Sequence, residues 1–158
     1  MVSLALTVLR AAGLALVGLY AGGVLFVVIA PSVARLPGPA YVRHWQALNA
    51  DHGRTMPPLL LTAVAILLVA AVISWRHGRL VFVLGAAAVI LVVLTIVLTV
   101  AALEPLNQLA NTWDPDRLPA GWDESRERWS RLHLVRTALA LAAFACLITV
   151  QFLDRSHP

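Results

Sequence analysis

Four stretches of this sequence carry no Asp, Glu, Lys, Arg or His, and they restrict the possible folds more than any other feature. They cover residues 11 to 34, 55 to 75, 80 to 103 and 137 to 153. A helix needs roughly 20 apolar residues to cross a hydrocarbon core of about 30 Å, and a lipid-exposed backbone must satisfy its hydrogen bonds internally. The sequence therefore predicts an all-α, integral membrane four-helix bundle, with membrane helices at about 8–31, 56–75, 80–103 and 132–153.

Composition supports a membrane protein and argues against other classes. Of the 158 residues, 60% are hydrophobic and only 13% are charged. All 12 basic residues are arginine, but they are spread over several connections, so we expect the partner to be the lipid bilayer and not a nucleic acid. Cys146 is the single cysteine, which leaves no pair for a disulfide within the chain or for a thiolate metal site.

Two of the three connections between the membrane helices are long. They span residues 31 to 54 and 104 to 131, whereas the third covers only residues 76 to 79. With four crossings, both long connections lie on one face of the membrane. Each contains a helical pattern, at about 38–52 and about 120–131, and the second should run unbroken into the fourth membrane helix. Long loops in compact folds tend to be functional, so we expect a site where these two partly helical connections meet and cap the bundle.

Arginine placement gives two opposing indications of orientation. The face with the long connections carries seven arginines, and the other face carries four. The positive-inside rule gives most weight to short loops, so the four-residue RHGR turn favours cytoplasmic N- and C-termini in a multi-pass protein of the cell membrane. Gly18 and Gly22 are four residues apart and permit close approach of helices, within the bundle or across a homodimer.

A polar and aromatic stripe marks the start of the fourth membrane helix. The segment WDESRERWSRLHLVR, residues 122 to 136, is followed by 17 uncharged residues. Trp122, Arg126, Trp129, His133 and Arg136 follow one another at spacings of 4, 3, 4 and 3, which places all five on one helix face. We call these five residues the Trp–Arg–His stripe. Its tryptophans are typical either of an interfacial belt or of a wall that holds a flat aromatic ligand.

Glu104 and Arg136 adjoin the apolar stretches, at the end of the third membrane helix and in the first turn of the fourth. Charges at membrane depth are costly and need a partner. The sequence therefore predicts an ion pair between them. The alternative is that Glu104 helps to deprotonate or position a substrate.

The histidines leave another alternative open. His44 and His133 are expected to face inward from the two long connections, and imidazole suits zinc, iron or copper. The chain has no HxxxH, ExxH or CxxC motif, so we predict no metal ligands and expect these histidines to hydrogen-bond or transfer protons. Haem or copper bound through His44 and His133 remains the alternative.

Four segments together resemble the anthrone oxygenase family. They are RAAGLALVGLYAGGVLF, YVRHWQALN followed by MPPLLL, LTVAALEPLNQL, and WDESRERWSRLHLVRTALA. The resemblance spans nearly the entire chain. Its most specific part is a Pro-Leu-Asn segment combined with the pattern W-x-x-x-R-x-x-W-x-x-x-H-x-x-R. Carried over position by position, it points to Gln46, Asn49, Pro105, Asn107, Trp122, Arg126, Trp129, His133 and Arg136.

The resemblance implies a small membrane oxygenase that converts an anthrone to an anthraquinone with O₂ and for which no cofactor is predicted. An anthrone has an acidic CH₂ group, and its anion is electron-rich enough to react with O₂ without a metal. Such an enzyme needs a base, cations that hold an oxyanion, and a dry aromatic slot for a small aromatic substrate. The competing hypothesis is a non-catalytic membrane protein in which the Trp–Arg–His stripe is structural.

The oxygenase hypothesis assigns two sets of residues. The expected catalytic residues, with His133 as the base and the arginines as oxyanion partners, are His133, Arg136, Arg126 and Glu104. The expected substrate-binding residues are Trp122, Trp129, Trp45, His44, Gln46, Asn49 and Asn107.

Overall fold

The computed structural model describes residues 4–75 and 78–155, and its regular elements there are all helical. They are α1 (Leu4–Ile29), α2 (Pro31–Ala34), α3 (Gly38–Ser74), α4 (Arg79–Leu98), a π-helical segment (Thr99–Leu103), α5 (Glu104–Asn111) and α6 (Trp122–Arg155). Four helical segments are long and apolar enough to cross a membrane, namely Leu4–Ile29, Gly38–Ser74, Arg79–Asn111 and Trp122–Leu153. The predicted membrane four-helix bundle is confirmed.

The four long helices form a closed ring in which α1 packs on α3 and α6, and α4 packs on α3 and α6. Small residues such as Ala21, Ala63, Ala88 and Ala140 lie in the core, because close approach of backbones is what stabilises helix pairs in lipid. Gly18 belongs to this packing, since a Cβ there would lie 2.8 Å from a ring carbon of Phe144 in α6. The outer face carries large exposed apolar side chains, as a lipid environment allows.

Helix α3 differs from its sequence prediction. The pattern predicts an interfacial helix that ends near Gly53 and a separate membrane helix after it, but α3 is one helix of 37 residues that contains Pro57 and Pro58. Each proline lacks an N–H, so the carbonyls of Gly53 and Arg54 lose their usual helical donors. Buried residues on both sides of the proline pair anchor the helix in the bundle, and this packing outweighs the local cost of the prolines.

The π-helical segment Thr99–Leu103 lies directly before Glu104 and Pro105. Pro105 cannot donate to the carbonyl four residues earlier, and its ring crowds that carbonyl. The wider π turn removes this clash, and such turns are frequent at functional sites. Leu103 at its end and Leu106 and Asn107 after it are buried, so the π turn sets which side of this helix faces the interior.

The two long connections meet, as the sequence predicts. Arg126 donates a hydrogen bond to the carbonyl oxygen of Ala34, and the guanidinium of Arg43 lies 2.6 Å from a carboxylate oxygen of Asp116. Helix α6 begins at Trp122 and continues without a break into the membrane, also as predicted. A second hydrophobic cluster built around Tyr41, Trp45 and Trp129 forms this cap.

Candidate active site

A cavity of about 430 Å³ lies between the bundle core and the cap. All four long helical segments contribute to its wall, which is mostly apolar. Its polar and charged lining residues are Tyr20, Asn49, His52, Thr99, Glu104, Asn107, His133 and Arg136. A largely apolar cavity of this size with a few convergent polar groups is typical of a small-molecule site.

His133 is held by three contacts. Its Nε2 lies 3.0 Å from the carbonyl oxygen of Val24, its Nδ1 lies 2.6 Å from Nη2 of Arg136, and its ring stacks on Trp129 with centroids 4.8 Å apart. A guanidinium can only donate and a carbonyl can only accept. Nδ1 is therefore the acceptor and Nε2 carries the hydrogen, so this imidazole is neutral and both of its nitrogens are occupied.

Arg136 lines the cavity without a carboxylate partner. It donates to Nδ1 of His133 and, at 3.4 Å, to the hydroxyl of Thr99, while its buried Nε has no hydrogen-bond partner in the described chain. No ion pair joins it to Glu104 within residues 4–75 and 78–155. The predicted Glu104–Arg136 ion pair is wrong, although both side chains line the same cavity.

Glu104 instead forms hydrogen bonds along its own helix. One carboxylate oxygen accepts from Nδ2 of Asn107 at 3.1 Å, and the other accepts from the amide of Gln108. These partners lie three and four residues further along α5, where neighbouring side chains on one helix face meet. Local amide donors thus hold the carboxylate, which is why it does not reach across to α6.

Asn107 connects Glu104 to two tryptophans. Its Oδ1 accepts from the indole Nε1 of Trp45 at 3.0 Å and from that of Trp129 at 2.9 Å. An indole N–H can only donate, so the orientation of the Asn107 amide is fixed and its Nδ2 must point to Glu104. These hydrogen bonds join α3, α5 and α6 where the cap meets the cavity.

The cavity opens sideways, towards the lipid-facing surface. Its exposed lining residues include Pro57 and Leu61 from α3 and Val100 from the π-helical segment. Leu61 is 64% exposed and Val100 is 66% exposed, and both lie within segments that are apolar enough to cross a membrane. The opening between these two helices therefore faces hydrocarbon.

The structure brings together seven of the eleven site residues that the sequence predicts. Those that line the cavity are Trp45, Asn49, Glu104, Asn107, Trp129, His133 and Arg136. The other four lie in the cap or at its surface, outside the cavity wall, and they are His44, Gln46, Trp122 and Arg126.

Each of these four residues has a different environment. Arg126 lies over the ring of Tyr41, 4.1 Å from its centroid, and the indole of Trp122 contacts the same tyrosine. The amide of Gln46 donates to two carbonyl oxygens at the end of α5 and just beyond it. His44 is exposed, so the prediction that it faces inward is wrong, because the buried face of α3 here runs through Tyr41 and Trp45.

Three polar residues of the cavity wall, Tyr20, His52 and Thr99, are not among the predicted site residues. The hydroxyl of Tyr20 is buried and has no hydrogen-bond partner in the described residues, and its position in an apolar run gave no signal beyond packing. His52 could have been found, because it lies seven residues after Trp45 and three after Asn49, on one helix face.

The histidine pair of the haem or copper alternative does not share a site. His133 lines the cavity, whereas His44 does not. Among the residues that the structure describes, no group of three or more His, Cys, Asp or Glu side chains is arranged to hold a metal ion.

Comparison with known proteins gives one match. A family model described as anthrone oxygenase matches residues 43–146. This range contains most of α3, all of α4 and α5, and the part of α6 that carries Trp129, His133 and Arg136. No curated protein and no solved structure matches the chain.

Proposed function

Since the chain belongs to the anthrone oxygenase family, we propose that it oxidises a lipophilic phenolic substrate of the anthrone type with O₂ in the cavity of its membrane bundle. The substrate loses its acidic CH₂ hydrogens, and the product is the corresponding quinone.

The observation that carries this proposal is the state of Arg136. Arg136 is half-buried, and a cation that is withdrawn from water without a counter-ion is unfavourable. Its guanidinium has no carboxylate partner among the described residues, and its buried Nε has no hydrogen-bond partner there. The oxyanion of a deprotonated anthrone supplies the missing negative charge. Fixed donors aimed at a developing oxyanion in a water-poor site are among the largest contributions to catalysis. The hydroxyl of Tyr20 offers a second donor in the same cavity.

The shape and surroundings of the cavity support a flat, lipophilic substrate. Trp45 and Trp129 lie at its cap end, and leucine, valine, isoleucine, methionine and proline side chains line much of the remainder. Burial of an aromatic ring system against such a wall is favourable through loss of apolar surface from water. The lipid-facing opening beside Leu61 and Val100 lets a substrate dissolved in the bilayer enter without crossing water.

The proposed reaction balances as R₂CH₂ + O₂ → R₂C=O + H₂O. Removal of one CH₂ proton leaves an electron pair that is delocalised onto the substrate oxygen beside Arg136. The anion transfers one electron to O₂, and the two radicals combine to a C–O–O⁻ peroxide, which takes up a proton. Loss of the second hydrogen from carbon as a proton, with cleavage of the O–O bond, releases water and forms the carbonyl. The substrate itself supplies the electrons that O₂ accepts.

The test is O₂ uptake by the purified protein in lipid nanodiscs, with quinone formation followed by absorbance. Empty nanodiscs are the required control, because anthrones oxidise slowly on their own. We expect uptake of one O₂ per quinone formed, without added nicotinamide or flavin. A rate equal to that of empty nanodiscs over a panel of anthrones and hydroquinones would contradict the proposal, and activity that follows the iron or copper content of the preparation would favour the haem or copper alternative.

A further inference from the structure

The cavity contains three side chains that are able to accept a proton, and they differ in what already occupies them. Glu104, His52 and His133 all belong to its wall. A general base must offer a free lone pair within hydrogen-bond reach of the proton that it removes. The hydrogen bonds within the protein therefore decide which of the three is suited to the role.

His133 and Glu104 already form hydrogen bonds within the protein through the atoms that would accept a proton. The Nδ1 lone pair of His133 accepts from Arg136, and its Nε2 hydrogen is donated to Val24. Each carboxylate oxygen of Glu104 accepts from a side-chain amide of its own helix, which holds the carboxylate along α5. His133 has no ring nitrogen left for a substrate proton and holds the guanidinium of Arg136 in place.

His52 has the arrangement that the other two lack. Its Nδ1 lies 2.8 Å from the carbonyl oxygen of Leu48, and since a carbonyl only accepts, Nδ1 carries the hydrogen. In the neutral ring the lone pair is then on Nε2, for which the described residues provide no hydrogen-bond partner. A histidine whose Nδ1–H is anchored to an acceptor has its tautomer and its ring orientation fixed.

We propose that His52 is the catalytic base of this enzyme and takes the proton from the CH₂ group of the substrate. The inference rests on the proposed function. His52 comes from α3, and Arg136 comes from α6, which lies across the ring from α3. A flat substrate between them has its acidic carbon on the side of the base and its oxygen on the side of the cation.

The proton transfer is balanced by the later steps. The C–H bond breaks, an Nε2–H bond forms, and the electron pair stays on the substrate, delocalised towards the oxygen at Arg136. The resulting imidazolium gives its proton to the peroxide formed with O₂. Neutral His52 then takes the second proton as the O–O bond breaks, and this proton joins the departing hydroxide as water.

Proton removal can be measured without O₂. In D₂O under anaerobic conditions, a functioning base exchanges the CH₂ hydrogens of the anthrone for deuterium, which NMR or mass spectrometry detects. We expect the parent protein in nanodiscs to accelerate this exchange over empty nanodiscs, and His52→Gln to lower both the exchange and the O₂ uptake by about 10² to 10⁴. Quinone binding, read from quenching of Trp45 and Trp129 fluorescence, should stay as in the parent. Arg54→Gln, at an exposed position two residues along α3, should change neither rate nor binding.

Each outcome decides between the two proposals. A parent without O₂ uptake above background overturns the proposed function and this inference together. An active parent with an equally active His52→Gln variant overturns the role of His52 alone, as does a variant that loses quinone binding in parallel with exchange. If His52→Gln is not monodisperse, His52→Ala with added imidazole replaces it. Restored exchange supports the base, and exchange that imidazole does not change overturns it.

Discussion

The Trp–Arg–His stripe on α6 divides at Trp129 into two halves with different environments. Trp122 and Arg126 lie in the cap, where Arg126 donates to the carbonyl of Ala34 and covers the ring of Tyr41. His133 and Arg136 lie one and two turns deeper, in the wall of the cavity. The two arginines share one helix face and are ten residues apart, but Arg126 contacts groups in the cap, whereas Arg136 lines the cavity.

The two guanidinium groups differ in how fully their N–H donors and their charge are matched by partners in the protein. The partners of Arg126 are protein groups on other elements, a carbonyl and an aromatic face, so its contacts hold the two long connections together. Arg136 is positioned by His133 and Thr99 but keeps an unbonded nitrogen and no counter-ion in the described chain. A satisfied polar group stabilises the fold, whereas an unsatisfied buried one calls for an explanation such as a binding role. On the function proposed above, the upper half of the stripe serves stability and the lower half serves chemistry.

The largest expected effect that tests this comparison is on catalysis. Arg136→Gln should lower the rate of quinone formation by about 10² to 10³, because one oxyanion partner is lost. The thermal stability in detergent should not fall in proportion, since removal of an uncompensated buried charge relieves a desolvation cost. Arg126→Gln is the matched variant and should retain nearly the rate of the parent. Equal losses of rate in both variants would show that the two halves of the stripe are not distinct.

A smaller effect, on the free energy of unfolding, is expected from substitution of Asn107, which accepts the hydrogen bonds of two tryptophans. Asn107→Leu leaves the buried N–H groups of Trp45 and Trp129 without an acceptor, and each should cost about 1 to 3 kcal/mol. Unfolding in detergent, followed by near-UV circular dichroism, would measure this loss. Asn111→Leu replaces an exposed asparagine one turn further along α5 and should have little effect. If both substitutions cost the same, Asn107 does not link the cap to the cavity.

The sequence predicted the helices well because membrane burial depends on local composition. Uncharged stretches must be helical and must span the bilayer, and spacing alone placed the five stripe residues on one face of α6. Periodicity gives the face of a helix but not the depth at which each residue lies. The division of the stripe at Trp129 therefore depends on tertiary contacts that no spacing encodes.

The incorrect predictions have local causes. The Glu104–Arg136 pair was expected from charge alone, but Asn107 and Gln108 are closer donors on the same helix as the carboxylate. The sequence does not predict His52 as a site residue, because an Asp–His–Gly sequence before two prolines usually ends a helix. Packing on both sides of the prolines keeps α3 continuous and carries His52 into the cavity wall.

The smallest effect concerns the cap, and it tests the upper half of the stripe directly. Arg126→Leu removes a cation that lies 4.1 Å from the ring centroid of Tyr41, and a double-mutant cycle with Tyr41→Leu should give a coupling energy of about 0.5 to 1 kcal/mol. The exposed ion pair of Arg43 and Asp116, whose side chains are 55% and 72% exposed, should couple no more strongly, at about 0.2 to 1 kcal/mol. Added salt distinguishes the two, because it screens the exposed ion pair more than the partly buried cation–π contact. A coupling between Arg126 and Tyr41 that disappears at high salt would mean that the cap relies on surface charge. One that persists while quinone formation is unchanged would identify Arg126 as part of the structure that keeps the cavity closed on the cap side.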